Sequence, residues 1–360
     1  MTDLFSPLDV SSLHLRNRFA MAPMTRMKSP GGVPNEENAE YYRQRAAGGT
    51  GLLITEGTYI RGPAAGPSPD VPRIYGAENA AGWKAIVDGV HAEGAAIIPQ
   101  LWHLGAARGD APDFEPDQPT VSPSGVDGHG KTVGRELTTA DLEAAVASFA
   151  ESAAYAKQIG FDGVELHGAH GYFLDQFLWD RTNLREDSYG GSISHRAAFP
   201  SEVVAAVRAA VGPDFAIVYR YSQWKGGDYE AVIASDPQEL AQILRPLADA
   251  GVDVFHVSTR RHWSPAFDGD TMSLAGWTKK VTGKQVITVG SVGVDTVFRG
   301  GPDEVLASSR DRLAILEAQF ANGEFDIVAL GRALLADPAW VDKLRTGRLD
   351  DVVPFEVKAA

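Results

Sequence analysis

Apolar residues are concentrated in short runs separated by amphipathic stretches, and the alternation is regular along the whole chain. Strands are predicted at 18–24, 51–57, 95–101, 163–167, 216–222, 252–258, 285–293 and 326–332. Each is four to nine residues of mostly apolar character, bounded by Gly, Pro or Asn, as buried strands are. Helical spacing fills most of the gaps: Glu36 to Ala47, Glu78 to Glu93, a segment opened by Thr138 and Asp141, His195 to Ala210, Gln238 to Ala250, 272 to 282, Arg310 to Ala321, and Ala333 to Leu344. Thr138 with Asp141 reads as a capping box, and Gly48–Gly49 and Asn322–Gly323 as helix stops.

Eight strands in strict alternation with helices favour a parallel sheet closed into a (β/α)8 TIM barrel, one domain over residues 1–360. Residues 1–16 alternate loosely and predict a short N-terminal hairpin acting as a lid on one end. The competing architecture, two halves with a dinucleotide-binding sheet, lacks a G-x-G-x-x-G between a strand and a helix. Residues 104–137 are rich in Pro, Gly and Asp. A loop of that length is expected to form a wall of a site.

Composition narrows the chemistry. The chain has 360 residues, 44% of them hydrophobic, a net charge of −14 and no cysteine. Disulfides, thiolate-held clusters and a cysteine nucleophile are therefore excluded. The acidic balance argues against a nucleic-acid partner. No apolar run approaches the ~20 residues of a membrane span, and no signal peptide is evident. The expectation is a cytoplasmic protein, a monomer or homo-oligomer, acting on a small molecule.

Barrel enzymes carry their chemistry at the C-terminal ends of the strands. The residues expected there are Thr25, Glu56, Gln100, His167, Arg220, His256, Ser291 and Arg332, a polar ring on apolar strands. The fourth end is the richest. HGAHGY places His167, His170 and Tyr172 within six residues, among glycines. Three readings stand: satisfied histidines; a His-x-x-His metal site whose carboxylate comes from elsewhere, giving a metal-dependent hydrolase or lyase; or two neutral donors that polarise a bound oxygen beside a phenolic proton donor. At the last two ends, Gly290 and Ser291, and Gly331 and Arg332, offer backbone N–H groups and a cation to a phosphate. Gln100 and Arg220 would face the other end of such a ligand.

These residues resemble the old yellow enzyme family of FMN-dependent NAD(P)H oxidoreductases. The resemblance covers essentially the whole chain. It is carried by APMTR, TEG, IIPQLWHLG, HGAHGYFLDQFL, NLREDSYGGS, GSVG and ALGR. It implies FMN over the barrel mouth, with its phosphate at Gly290, Ser291, Gly331 and Arg332. Thr25 would sit near the flavin C4 carbonyl, Pro23 and Gly57 against the ring, Gln100 at the pyrimidine edge and Arg220 near N1. His167 and His170 would bind the oxygen of an α,β-unsaturated carbonyl or nitro acceptor. Hydride would pass from flavin N5, Tyr172 would protonate the product, and Trp102 would shape the substrate pocket. NADPH or NADH would reduce the flavin in the same pocket. Arg260, Arg261 and Trp263 are expected on a loop beside it. Two features depart from the family pattern: the fifth strand runs on as YRYSQWKGGDY, and Phe298 to Ser309 is an insertion.

Overall fold

The computed structural model describes residues 2–62, 64–109, 113–294 and 309–356. The chain opens with the hairpin β1 (Leu8–Val10) and β2 (Leu13–Leu15). Then follow β3 (Phe19–Met21), β4 (Leu52–Tyr59), β5 (Ala96–Trp102), the short strands β6 (Val121–Ser122) and β7 (Arg135–Glu136), β8 (Gly163–His170), β9 (Ala216–Lys225), β10 (Val254–Ser258), β11 (Gln285–Val289) and β12 (Ile327–Leu330). Eight of these, in the order β3-β4-β5-β8-β9-β10-β11-β12, close into a barrel in which every pairing is parallel.

Alternation fixes which side chains fill the barrel. Ala20, Ile54, Ile98, Val218, Val254, Ile287 and Ala329 point inward and are fully buried. The hairpin closes the N-terminal end: Leu13 and Leu15 pack into this interior cluster. Ser12 fixes it by donating to the Asp162 carbonyl at 2.5 Å and accepting the Ala216 N–H at 2.8 Å. The outward faces of the strands and the apolar stripes of the helices form the larger core. The capping box at Thr138 is present and starts the helix Thr139–Ile159.

Several boundaries differ from the expectation. β3 and β11 are shorter than predicted. β8 runs past His167 to His170, and β9 past Ser222 to Lys225. A register shift between Gly168 and His170 keeps the two extensions paired, with His170 opposite Lys225. The last helix divides into Arg332–Ala336 and Trp340–Arg345, with Pro338 at the break. The 104–137 loop is organised by Arg108, whose buried guanidinium donates to the carbonyls of Phe114, Glu115 and Gln118 at 2.7–2.8 Å. The insertion from Phe298 lies outside the described residues, apart from its last position. Among the described residues no helix is long and apolar enough to cross a membrane.

Candidate active site

The HGAHGY segment is shaped by its neighbours on β9. A Cβ on Gly168 would lie 2.2 Å from the Tyr219 hydroxyl, so only glycine lets the strand pass. His170 (φ 66°) and Gly171 (φ 82°) both take the left-handed conformation, which turns the chain back. A non-glycine residue there is strained and must be held. The His170 N–H donates to Ser222 Oγ at 3.0 Å, and its carbonyl accepts from Gly226 N–H at 2.9 Å. The Gly171 N–H donates to Asp175 Oδ2 at 2.7 Å, and Asp175 Oδ1 accepts from Lys225 Nζ at 2.7 Å. Both members of that ion pair are buried, at 1% and 0% side-chain exposure.

This scaffold gathers four rings. His167 lies 4.9 Å from Tyr172 and 5.2 Å from His170, centroid to centroid, and Trp102 lies 5.1 Å from Tyr172. They form one wall of a cavity of about 1030 Å³ at the C-terminal end of the barrel. Pro23, Thr25, Gln100, Arg220, Gly290, Ser291, Gly331 and Arg332 also line it, so twelve residues expected from the sequence meet at one site. Gly57 does not line it. It pairs with Gln100, and a Cβ there would lie 2.4 Å from the Trp102 indole, so its role is to let Trp102 lie against the strand.

Two members of the predicted ring are placed elsewhere. Glu56 turns away from the cavity, and its Oε2 accepts the N–H groups of Arg26 at 2.7 Å and Met27 at 3.1 Å. It anchors the segment that carries Thr25. His256 is fully buried beneath the lining, with Nδ1 2.6 Å from Glu165 Oε2. Of the loop residues, Arg260 reaches the cavity and lies over the Tyr229 ring at 3.9 Å. Arg261 and Trp263 are not on the lining.

Burial, and then the charge of Arg220, holds both His167 and His170 well below the usual imidazole range. Both are therefore neutral near pH 7, each with one N–H to give. Nε2 of His170 lies 2.8 Å from Ser258 Oγ, and that hydroxyl oxygen accepts from Arg220 at 3.5 Å. The His170 ring lies flat on Trp224. Trp224, Ser258, Glu165 and Lys225 are functional neighbours that the motifs did not single out. The polar ends of β9 and β10 and the unusual QWK run were the only signal for Trp224, Ser258 and Lys225, and for Glu165 it was a lone charge inside the apolar strand β8.

The cavity fits a flat, polar-edged ligand with a phosphate. Arg220 Nε and His167 Nδ1 are buried with no hydrogen-bond partner among the described residues, which is costly unless a ligand supplies one. Gln100 Nε2 donates to Glu165 Oε1 at 2.8 Å, and this turns the amide oxygen toward any donor on the ligand edge. At the opposite corner a Cβ on Gly290 would lie 2.5 Å from Thr259 Oγ1, so the backbone there runs bare. Burial and the nearby charge of Arg312 lower the pKa of Arg332. Arg332 on the same lining as this bare backbone suits an anion. The metal reading of His167 and His170 needed a further ligand. Among the described residues, no group of three or more His, Cys, Asp or Glu is arranged to hold a metal ion.

Residues 3–351 match the sequence model of the NADH:flavin oxidoreductase / NADH oxidase family. The chain is 35% identical to 12-oxophytodienoate reductase 7 of Oryza sativa subsp. japonica, over 95% of this chain and 87% of the relative. It is also 35% identical to the NADH oxidase of Thermoanaerobacter brockii, over 97% of this chain, and spans about half (52%) of that relative's length. Among solved structures it resembles morphinone reductase in complex with tetrahydroNAD, with a TM-score of 0.78 and 30% identity over 96% of this chain and 91% of that one. It also resembles the old yellow enzyme homologue from Zymomonas mobilis, with a TM-score of 0.80 and 25% identity over 99% and 95%.

Proposed function

Because the chain belongs to the NADH:flavin oxidoreductase / NADH oxidase family, that of the old yellow enzymes, we propose that it is an FMN-dependent NAD(P)H oxidoreductase reducing the activated C=C bond of α,β-unsaturated carbonyl or nitro compounds. The observation that carries this is the convergence of His167, His170 and Tyr172 on one wall of a cavity whose other side offers Arg220, Gln100 and a phosphate corner. FMN, when bound, supplies the site that takes hydride from NAD(P)H and passes it to the acceptor.

The protein's own residues do the rest. Gly290, Ser291, Gly331 and Arg332 hold the phosphate, and Gln100 and Arg220 hold the pyrimidine edge. Thr25 and Pro23 lie against the ring system. His167 and His170, kept neutral, donate to the acceptor's oxygen and draw electron density from the β-carbon without adding a fixed charge. Tyr172 stands beside them as an O–H donor and protonates the α-carbon. Trp102 bounds the acceptor site edge-on to Tyr172. The names of the 12-oxophytodienoate and morphinone reductases describe reduction of oxo compounds, which agrees with an oxygen-binding imidazole pair.

An anaerobic absorption titration tests the reading. Purified protein should show flavin bands that bleach with NADPH or NADH and return on addition of 2-cyclohexenone. Bands that bleach but do not return with any enone or nitroalkene would remove the proposed acceptor class. A protein that takes up no FMN would remove the whole reading.

A further inference from the structure

Glu165 and His256 form a carboxylate–imidazole pair that the proposed reaction does not use. Both side chains are fully buried inside the barrel, and Glu165 Oε2 lies 2.6 Å from His256 Nδ1. Glu165 is the register partner of Gln100, and His256 that of Arg220. The pair thus stands beside the two residues assigned to the pyrimidine edge of the cofactor, and Glu165 Oε1 accepts from Gln100 Nε2 at 2.8 Å. Nε2 of His256 has no hydrogen-bond partner among the described residues.

Charge counting gives this pair a task. Arg220 is the cation at that end of the cavity, but the fully buried Glu165 carboxylate stands close enough to act on it. The two cancel, so the buried cluster is neutral while His256 is neutral. Hydride delivery to a bound flavin adds one negative charge that Arg220 does not balance by itself. In a medium this dry an uncompensated charge is costly, and the nearest basic group takes a proton instead.

The groups facing His256 are Glu165 and His167 from β8 and Arg220 from β9, with His170 and Tyr172 beyond them. On the β11 side its register partner is Ile287. Burial lowers the pKa of His256, with Arg220 adding to the effect, while Glu165 opposes both. Of the three imidazoles, only His256 has a carboxylate in hydrogen-bond contact among the described residues. It is therefore the one best able to keep a proton.

We propose that His256, held by Glu165, takes up one proton from solvent when two electrons enter the bound flavin, making charge compensation the function of this pair. This inference rests on the flavin reading above. The balance is two electrons and one proton to the flavin, with a second proton on His256 Nε2.

The test is the pH dependence of the FMN midpoint potential in the holoenzyme, measured between pH 6 and 8 with dithionite and mediator dyes. One proton per two electrons gives a slope of about 30 mV per pH unit, and two protons about 60 mV. The wild type should show the steeper slope. His256→Gln and, independently, Glu165→Gln should bring it to the shallower one while retaining FMN. A wild-type slope of one proton, or a steep slope that survives in both variants, overturns the proposal. A protein without flavin bands overturns the flavin reading and this proposal together, and is told apart by its spectrum before any potential is measured.

Discussion

Trp224 lies flat against the imidazole of His170, with ring centroids 4.3 Å apart and planes 25° from parallel. Its indole N–H donates to the Ser258 carbonyl at 3.0 Å, while the Ser258 hydroxyl meets His170 Nε2. The imidazole is thus fixed on its face and at one nitrogen by a residue from the QWK run of β9. Phenols that bind at His167 and His170 should report this through a long-wavelength charge-transfer band. Trp224→Ala removes a contact of about 1 kcal/mol, so the phenol dissociation constant should rise several-fold, and Trp224→Phe should restore most of it. An unchanged constant in the alanine variant would mean that the stack does not position His170.

Tyr172→Phe removes the proposed proton donor but keeps the ring packed against Trp102 and His167. FMN binding and oxidation of NAD(P)H should persist. Enone turnover should fall by about a hundredfold or more, the usual contribution of a positioned acid. Stopped-flow measurement of the two half-reactions separates these effects. Equal slowing of both would count against the assignment.

Lys225→Met leaves the Asp175 carboxylate buried without its cation. Breaking such a pair from one side costs about 3–5 kcal/mol, and chemical denaturation should show a loss of that order. Adding Asp175→Asn removes the stranded charge and should recover a good part of the loss. A single variant as stable as the wild type would show that the pair carries no net strain-holding role at His170 and Gly171.

Gly290→Ala would force a methyl group within 2.5 Å of Thr259 Oγ1 and 2.9 Å of the His262 nitrogen. The backbone at the phosphate corner must then move. Flavin fluorescence titration of the apoprotein should give an FMN dissociation constant raised about tenfold or more, since a shift of that corner disturbs several charge-assisted bonds. Ser291→Ala, which keeps the backbone, should have a smaller effect.

His103 and His262 are buried, and burial presses each pKa down to about 4. His103 Nδ1 accepts the Gly105 N–H at 2.9 Å, a bond that protonation destroys. The unfolded chain binds these protons near pH 6.5 and the folded chain only near 4. Stability is therefore complete above about pH 6.5 and falls as pH drops from there toward 4, at about 1.4 kcal/mol per unit for each group at most. Denaturation midpoints measured from pH 7 to 4.5 should fall steadily, and His262→Gln should flatten the slope. A flat wild-type profile would contradict the buried neutral state of both rings.

Apolar runs spaced by amphipathic ones dictated a barrel, because eight buried parallel strands with crossover helices have few other ways to satisfy their backbone groups. The HGAHGY, GSVG and ALGR segments pointed directly to one wall and one corner of the cavity, since their residues are neighbours in sequence as well as in space. What no local pattern contained was direction. That neither Glu56 nor Gly57 lines the cavity accompanies a register shift in the β4–β5 ladder between Ile54 and Gly57. At that shift the Glu56 N–H donates to the Tyr42 hydroxyl and Gly57 leaves room for Trp102, contacts that alternation along β4 does not reveal. His256 looked like a member of the ring, but closure of the barrel set it below the lining, where Glu165 could reach it. Lys225 and Asp175 are 50 positions apart, and only the extension of β9 alongside β8 makes them a pair. The sequence determined which strands exist and which chemical groups stand at their ends. The tertiary structure decided which of those groups meet, because side-chain direction at a strand end is set by register, and register is a property of the closed sheet.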